Sequence, residues 1–375
     1  MTNTNHKTLK QLFNVGVEAV SGACSVLNHF ALNEIPRPNA ILSVGKAACS
    51  MYQGIPDEFK DGVETLIVTK DNHTPVELMN IKRLRVIESS HPIPSQKSLD
   101  AGLEVLNFVS GLPTEARLLL LVSGGASALV EVLKDDFSLN QMAALTDDCL
   151  SKGMDIATIN NKRADYSLVK QGGLLSNFSG CHVDVLAISH VETDDINIIG
   201  SGIGAAVSPK STYHSHIVAS NKLARNTLVK HAEKLGVPIV INDETLYGDF
   251  IQVAKTINQT VSTGPKGLYV FGGEPTVKLP ENPGTGGRNQ ALALLLAKYF
   301  SGNDNITCLV AGTDGTDGPT NAAGAIIDGN TYNSPEADIA LTKANSGEYL
   351  DKENSLLITG PTGTNVMDIA LILKT

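Results

Sequence analysis

Between Gly272 and Asp328 the chain concentrates residues whose types could do chemistry: GGEPTVKLPENPGTGGRNQ, an apolar helical run, then ITCLVAGTDGTDGPTNAAGAIID. Two glycine-dense loops, each following a β-branched apolar run, carry Glu274, Arg288, Asn289, Asp314 and Asp317. Glycine lets backbone N–H groups approach an anion closely, a guanidinium grips phosphate in bidentate fashion, and carboxylates hold the metal counterion. The combination points to phosphate chemistry. Asp-Gly is also the common dipeptide of a type I′ hairpin turn, so the same residues can be read as plain connections between strands.

Upstream, further candidates stand at the ends of short apolar runs that alternate with helical patterns, which is the signature of a parallel sheet covered by helices. The strand candidates are 40–45, 65–69, 84–89, 117–123 and 183–189. In open α/β sheets the ligand crevice lies outside the carboxyl ends of the strands. Those ends carry Gly45-Lys46, Ser89-Ser90-His91, Ser123-Gly124-Gly125-Ala126-Ser127 and Ser189-His190. SGGASAL at 123–129 leads from a strand into a helical pattern, so its N–H groups could face an anion, or its glycines could serve close helix–strand packing. It is neither a Walker A loop nor GxGxxG, and no GxSxG elbow is present. A lysine such as Lys46 at a buried strand end needs an anionic partner, whereas on a surface it needs none. Asp194 and Asp195 suit a cation or a solvated turn. None of the nine histidines falls in an HExxH spacing, which argues against zinc.

These elements need a large scaffold, and 375 residues suffice for two domains. A hydrophobic content of 42% with 18% charged residues is that of a globular enzyme. A net charge of −10 without a basic block argues against nucleic-acid or membrane partners. Five scattered cysteines without CxxC fit reduced thiols in a cytoplasm. The N-terminus reads as an ordinary first helix and lacks a signal-peptide core. A polar segment, Ser208 to Ser215, breaks the pattern, and a new series begins with HIVASN at 216–221. Helix 222–235 capped by Gly236 and the strands PIVIN, LYVFGG, ITCLVAG, GAIID and LLITG follow. The boundary is expected near 212, giving domains 1–212 and 213–375.

Taken together, GKAA at 45–48, HPIP at 91–94, SGGASAL at 123–129, GGEPTV at 272–277, GTGGRNQALAL at 284–294, AGTDGTDGPTNAAGA at 311–325 and TGPTGTNVMD at 359–368 resemble the class II glycerate kinases. This is the glycerate 2-kinase family with a MOFRL C-terminal domain, whose members are often labelled hydroxypyruvate reductase. The resemblance implies an α/β fold: a Rossmann-like N-terminal domain with a parallel sheet, a smaller mixed α/β C-terminal domain, and an active site in the cleft between them. It implies transfer of the γ-phosphoryl of ATP to the 2-hydroxyl of D-glycerate with Mg2+. Small-molecule substrates, and a monomer or homodimer, are expected. The essential lysine falls on Lys46 and the essential arginine on Arg288. Substrate or nucleotide binding falls to His91, Ser123, Gly124, Gly125, Ser127, Asn160, Arg163, Asp194, Asn221, Glu274 and Asn289, and metal binding to Asp314 and Asp317. A nicotinamide-dependent reductase and a non-catalytic metabolite-binding relative are the alternative functions.

The chain departs from the family pattern in one region. The usual Ser-Asp-Val reads Ser189-His190-Val191, the Ser-Gly-Pro-Thr reads Ser201-Gly202-Ile203-Gly204, and the Lys-Gly-Gly reads Lys170-Gln171-Gly172, while Asp194, Asn160 and Arg163 are kept. An imidazole at 190 in place of a carboxylate is expected to alter acceptor preference and to titrate near pH 6.5.

Overall fold

The computed structural model describes residues 2–152, 156–207 and 211–375. Ser208, Pro209 and Lys210 of the polar segment lie outside the described residues. The chain forms two compact units: residues 21–219 with 363–365, and the N-terminal helix with residues 220–362 and 366–375.

In the first unit, β1 (Ala40–Val44), β2 (Glu64–Lys70), β3 (Leu84–Ser89), β4 (Arg117–Val122), β5 (His182–Ile188) and β6 (Thr212–Ala219) form one parallel sheet in the order β3-β2-β1-β4-β5-β6. Strands β1 and β4 are buried almost throughout, which explains their continuous apolar sequence. The helix Gln96–Ser110 starts in a capping box on Ser95 and buries Ala101, Val105 and Val109, spaced one turn apart, against the sheet. Strand order reverses between β1 and β4, so the loops after these two strands open at the switch point, where Lys46 and Ser123 to Ser127 lie.

In the second unit, β7 (Ile239–Glu244), β9 (Gly267–Gly273), β11 (Ile306–Gly312), β12 (Gly324–Asp328), β13 (Leu356–Leu357) and β14 (Asp368–Lys374) form a mixed sheet in the order β13-β12-β11-β14-β9-β7. Two short strands, β8 (Gly248–Asp249) and β10 (Pro275–Thr276), pair beside it. One sheet face packs on the helices Phe250–Thr263 and Arg288–Tyr299 through Val253, Ile257, Leu292, Leu296, Tyr269 and Val310. The other takes α1 (Thr2–Ala19) and the helix Asn221–Lys234. Leu9, Leu12 and Phe13 of α1 are fully buried, and Gly16 lets Leu228 approach so closely that an added Cβ would lie 3.1 Å from it. The long helix is capped at Ser220, which accepts the Leu223 N–H, and Gly236 follows it with φ +73°.

The structure departs from sequence expectation at four points. The division falls at Ala219/Ser220 rather than 212, because the polar residues from Thr212 belong to β6. As an edge strand β6 leaves most of its side chains exposed, so its sequence does not read as core. Helix α1 joins the C-terminal unit, since its apolar stripe is buried there. Strand β14 was not foreseen. The helix after Gly125 is one turn only, Ala126–Leu129, so the expected helix N-terminus at SGGASAL is not built. Among the described residues no single helix is long and apolar enough to cross a membrane.

Candidate active site

In the N-terminal unit, the β1 and β4 ends are laced together. The Lys46 N–H donates to the Gly124 carbonyl at 2.9 Å, the Ala47 N–H to Ser123 Oγ at 3.1 Å, and the Ser123 N–H to the Val44 carbonyl at 3.0 Å. Only glycine fits at 45: its φ is +131°, and a Cβ there would come 2.2 Å from Ser123 Oγ. Gly125, with φ +88°, passes close enough to His91 and Lys46 that a Cβ would sit 3.1 Å from a carbon of each. Gly124 lies under Asn365 and His190 in the same way. Ser201 Oγ donates to Ser127 Oγ at 2.8 Å. Lys46, His91, Ser123, Gly124, Gly125, Ser127, His190 and Asn365 are therefore one strand-end cluster.

His190 in this cluster corrects the titration expected from its sequence. Burial, and next the charge of Lys46, push its pKa down to about 4, and its buried Nδ1 has no hydrogen-bond partner. The ring is neutral at physiological pH and adds no negative charge beside Lys46. Asn160 and Arg163 come from the helix Ile156–Ala164. Arg163 keeps a buried, unpartnered Nε, and its charge reaches Lys170. Lys170 is itself buried on Glu131 at 2.5 Å, a pair that had no place among the candidates. Asp194 sits in the loop after β5 with φ +51°.

In the C-terminal unit, register does the assembling. β14 runs antiparallel between β9 and β11, so Asp368 at its start lies opposite both Gly273 and Gly312, the last residues of those strands. Glu274 follows the first and Thr313-Asp314 the second. Arg288, first residue of its helix, donates from Nε to one Asp368 oxygen at 2.6 Å and from Nη2 to the other at 3.1 Å, while Nη1 lies 2.9 Å from Glu274. Three of the five N–H groups of the guanidinium thus face carboxylates. Burial works against its charge, but Asp368 and Glu274 raise its pKa beyond the usual value.

Asp317 caps the same helix, its two oxygens accepting the N–H groups of Asn289 at 3.1 Å and Gln290 at 2.8 Å. Gly287 leaves it room, since a Cβ there would stand 2.3 Å from the carboxylate. Burial pushes the Asp317 carboxyl up to about 7 in spite of these two bonds. Asn289 is buried with neither its amide oxygen nor its nitrogen partnered. Asp314 accepts from the N–H and hydroxyl of Thr316, both at 3.0 Å, in the manner of a turn. The Asp-Gly pairs thus do lie in the connection between antiparallel strands β11 and β12 while standing at the strand ends. Asn221 is engaged within the scaffold: it donates to the Val366 and Asp368 carbonyls at 2.9 and 3.0 Å and accepts from Arg225 at 2.7 Å. Asp368 was missed as a site residue. It closes the TGPTGTNVMD motif, but only the β9–β14–β11 register reveals that it meets Arg288.

Residues 8–234 match a family described as a domain of unknown function, DUF4147, and residues 267–368 match the MOFRL family. A glycerate 2-kinase of Pyrococcus horikoshii is 32% identical over 89% of this chain and 87% of its own. A D-glycerate 2-kinase of Thermotoga maritima is 30% identical over 88% and 89%. The crystal structure of a glycerate kinase from Thermotoga maritima is similar with a TM-score of 0.85 and 28% identity, covering 100% of both chains.

Proposed function

The chain belongs to the glycerate 2-kinase family, and on that premise we propose that it transfers the γ-phosphoryl group of ATP to the 2-hydroxyl of D-glycerate or a closely related small hydroxy acid. The hydroxyl oxygen attacks the γ-phosphorus, the bond from phosphorus to the bridging oxygen breaks, ADP departs, and the hydroxyl loses its proton. Such a reaction asks the protein mainly for positioning and for positive charge around the phosphoryl oxygens.

The observation that carries the reading is the placement of the two cations at strand ends. Lys46 stands at the switch point of the parallel sheet, and Arg288 is oriented by Asp368 and Glu274 where β9, β11 and β14 meet. Lys46 neutralises phosphate charge, and Arg288, locked in one orientation, offers a planar fork to the transferring group. In the N-terminal unit, backbone N–H groups around Gly124 to Ser127 and the side chain of His91 stand beside Lys46 as further phosphate contacts. Asn289 offers unpartnered amide atoms to a substrate.

Magnesium fits the C-terminal residues by charge: when ionised, Glu274, Asp317 and Asp368 outnumber the single Arg288 they surround, and all offer hard oxygen donors. Asp314, which stands at the end of β11 with Asp317 in the same loop, and Asp317, whose carboxyl a bound cation would keep ionised in spite of its burial, would hold it, and it would supply neutralisation of the phosphate oxygens. The neutral His190 leaves the Lys46 field undiminished, which favours an anionic acceptor such as glycerate.

The test is ADP release from ATP in the presence of D-glycerate, with the product read by phosphorus NMR. Phosphate on the 2-oxygen couples to a single methine proton. ADP release that does not depend on a hydroxy acid would sink the reading, and coupling to a methylene pair would move the reaction to the 3-hydroxyl.

A further inference from the structure

The N-terminal sheet carries a second cluster of chemistry-bearing side chains at its other end. His182 and Asp184 alternate along the start of β5, and His214 lies opposite Asp184 on β6, so all three project from one sheet face. His182 Nε2 lies 2.7 Å from one Asp184 oxygen and His214 Nδ1 3.3 Å from the other. One donor atom from each of the three residues falls within 4.8 Å of the others. Asp184 is only 6% exposed, whereas the His214 side chain is 54% exposed, so the cluster has a buried anionic floor and an open side. β5 runs six residues on from His182 to Ile188, about 20 Å of strand, which puts the cluster far from Lys46 and His190.

We propose that His182, Asp184 and His214 bind a divalent transition-metal ion of the zinc class, with solvent completing the coordination. Two imidazoles and a carboxylate are the donor set such ions take, and one that hard Mg2+ does not favour. On a tetrahedral ion with bonds of about 2.0–2.1 Å, neighbouring donors stand about 3.4 Å apart. The two imidazole nitrogens contact different Asp184 oxygens, at 2.7 and 3.3 Å, and all three donors lie within 4.8 Å of one another, so side-chain rotations that shift the donors by about 1–1.5 Å bring them to this spacing. Each imidazole gives the lone pair of the nitrogen that faces Asp184, in the tautomer that carries its proton on the other ring nitrogen. The guanidinium of Arg117, which lies opposite His182 on β4, donates from Nε to the Arg37 carbonyl at 2.8 Å. Next along the face, His216 packs on His29 of α2 (Gly22–Leu32) with ring centroids 4.7 Å apart. The ion would pin the exposed edge strand β6 to β5, a structural role apart from phosphoryl transfer. The absence of an HExxH spacing hid it, because its ligands come from strand alternation and a neighbouring strand.

The experiment uses the full, tag-free chain stripped with a chelator and titrated with zinc chloride in a calorimeter, then with cobalt chloride in a spectrophotometer. One ion per chain is expected, with the intense visible bands of cobalt in a low-coordinate site. Thermal melting should rise on adding zinc. His182→Ala and His214→Ala should each weaken binding at least tenfold, while His73→Ala should not. His214 is exposed, so its variant keeps the fold, and its glycerate-dependent turnover should match the parent. No zinc uptake by the parent chain, or equal affinity in His214→Ala and the parent, overturns the proposal.

Discussion

Arg288 is held by two carboxylates, so its removal has two consequences that can be separated. Arg288→Ala is expected to lower turnover by on the order of 10³-fold, the scale of losing a charge-stabilising group at a phosphoryl centre. It should also cost about 3–5 kcal/mol of stability, because Asp368, only 1% exposed, is left buried and unpaired. Adding Asp368→Asn should restore much of the stability, read from denaturant midpoints, and none of the turnover. Recovered turnover in the double variant would show that Arg288 only balances charge. His190 yields a prediction of a different kind. Its native pKa of about 4 lies below the ordinary 6.5, so between these values the unfolded chain binds a proton that the native chain does not. Stability contributed by the neutral ring is complete above pH 6.5 and is lost as pH falls toward 4, with a slope of up to about 1.4 kcal/mol per pH unit. His190→Asn should flatten that limb in unfolding curves taken between about pH 4.5 and 7.5. An unchanged slope would assign the pH dependence to other groups.

Among the elements, the connection from Lys170 to Gly172 shows what a departure from the family pattern costs. Gln171 occupies a glycine place in that pattern, and its φ is +49°. The strain is held by backbone bonds from Gln171 and Gly172 to the carbonyls of Ser201 and Gly202, both at 2.9 Å. The receiving segment is itself left-handed at Gly200, Ser201 and Gly202. Gln171→Gly should therefore raise stability by about 0.5–1 kcal/mol, the left-handed penalty of a side chain less the added entropy of glycine. Chemical denaturation measures it, and a lowered midpoint would mean that the contact of Gln171 with Asn161 outweighs the strain. Ile203, in the place of proline, has φ −61°, which proline also adopts, and its side chain fills the core. The φ there is one that either residue adopts.

At the scale of the whole molecule, the N-terminal helix is chemically part of the C-terminal half of the chain. Phe13 is fully buried in the unit that holds residues 220–362. Phe13→Ala should cost about 3–5 kcal/mol, and the loss should appear in that unit. Hydrogen exchange is the measure: amides of β11 and β14 should lose protection while those of β1 and β4 keep theirs. Uniform loss over both sheets would show that the two units unfold as one.

Local chemistry was enough to read the parallel sheet, because strands buried on both faces are continuous apolar runs and their carboxyl ends carry the small and charged residues that ligands need. That reasoning put Lys46 and the Ser123 to Ser127 loop at strand ends, where they stand, while Glu274, Arg288, Asp314 and Asp317 were picked out by residue type and glycine-rich spacing. Three things needed the fold. Polar β6 reads as a break since an edge strand has no hydrophobic requirement of its own. DIALILK at the chain end is a run that could be a strand or a buried helical turn, and only pairing with β9 and β11 makes it β14 and carries Asp368 to Arg288. The titration of His190 depends on burial and on Lys46, more than a hundred residues away in the chain, and such proximity is a property of packing alone.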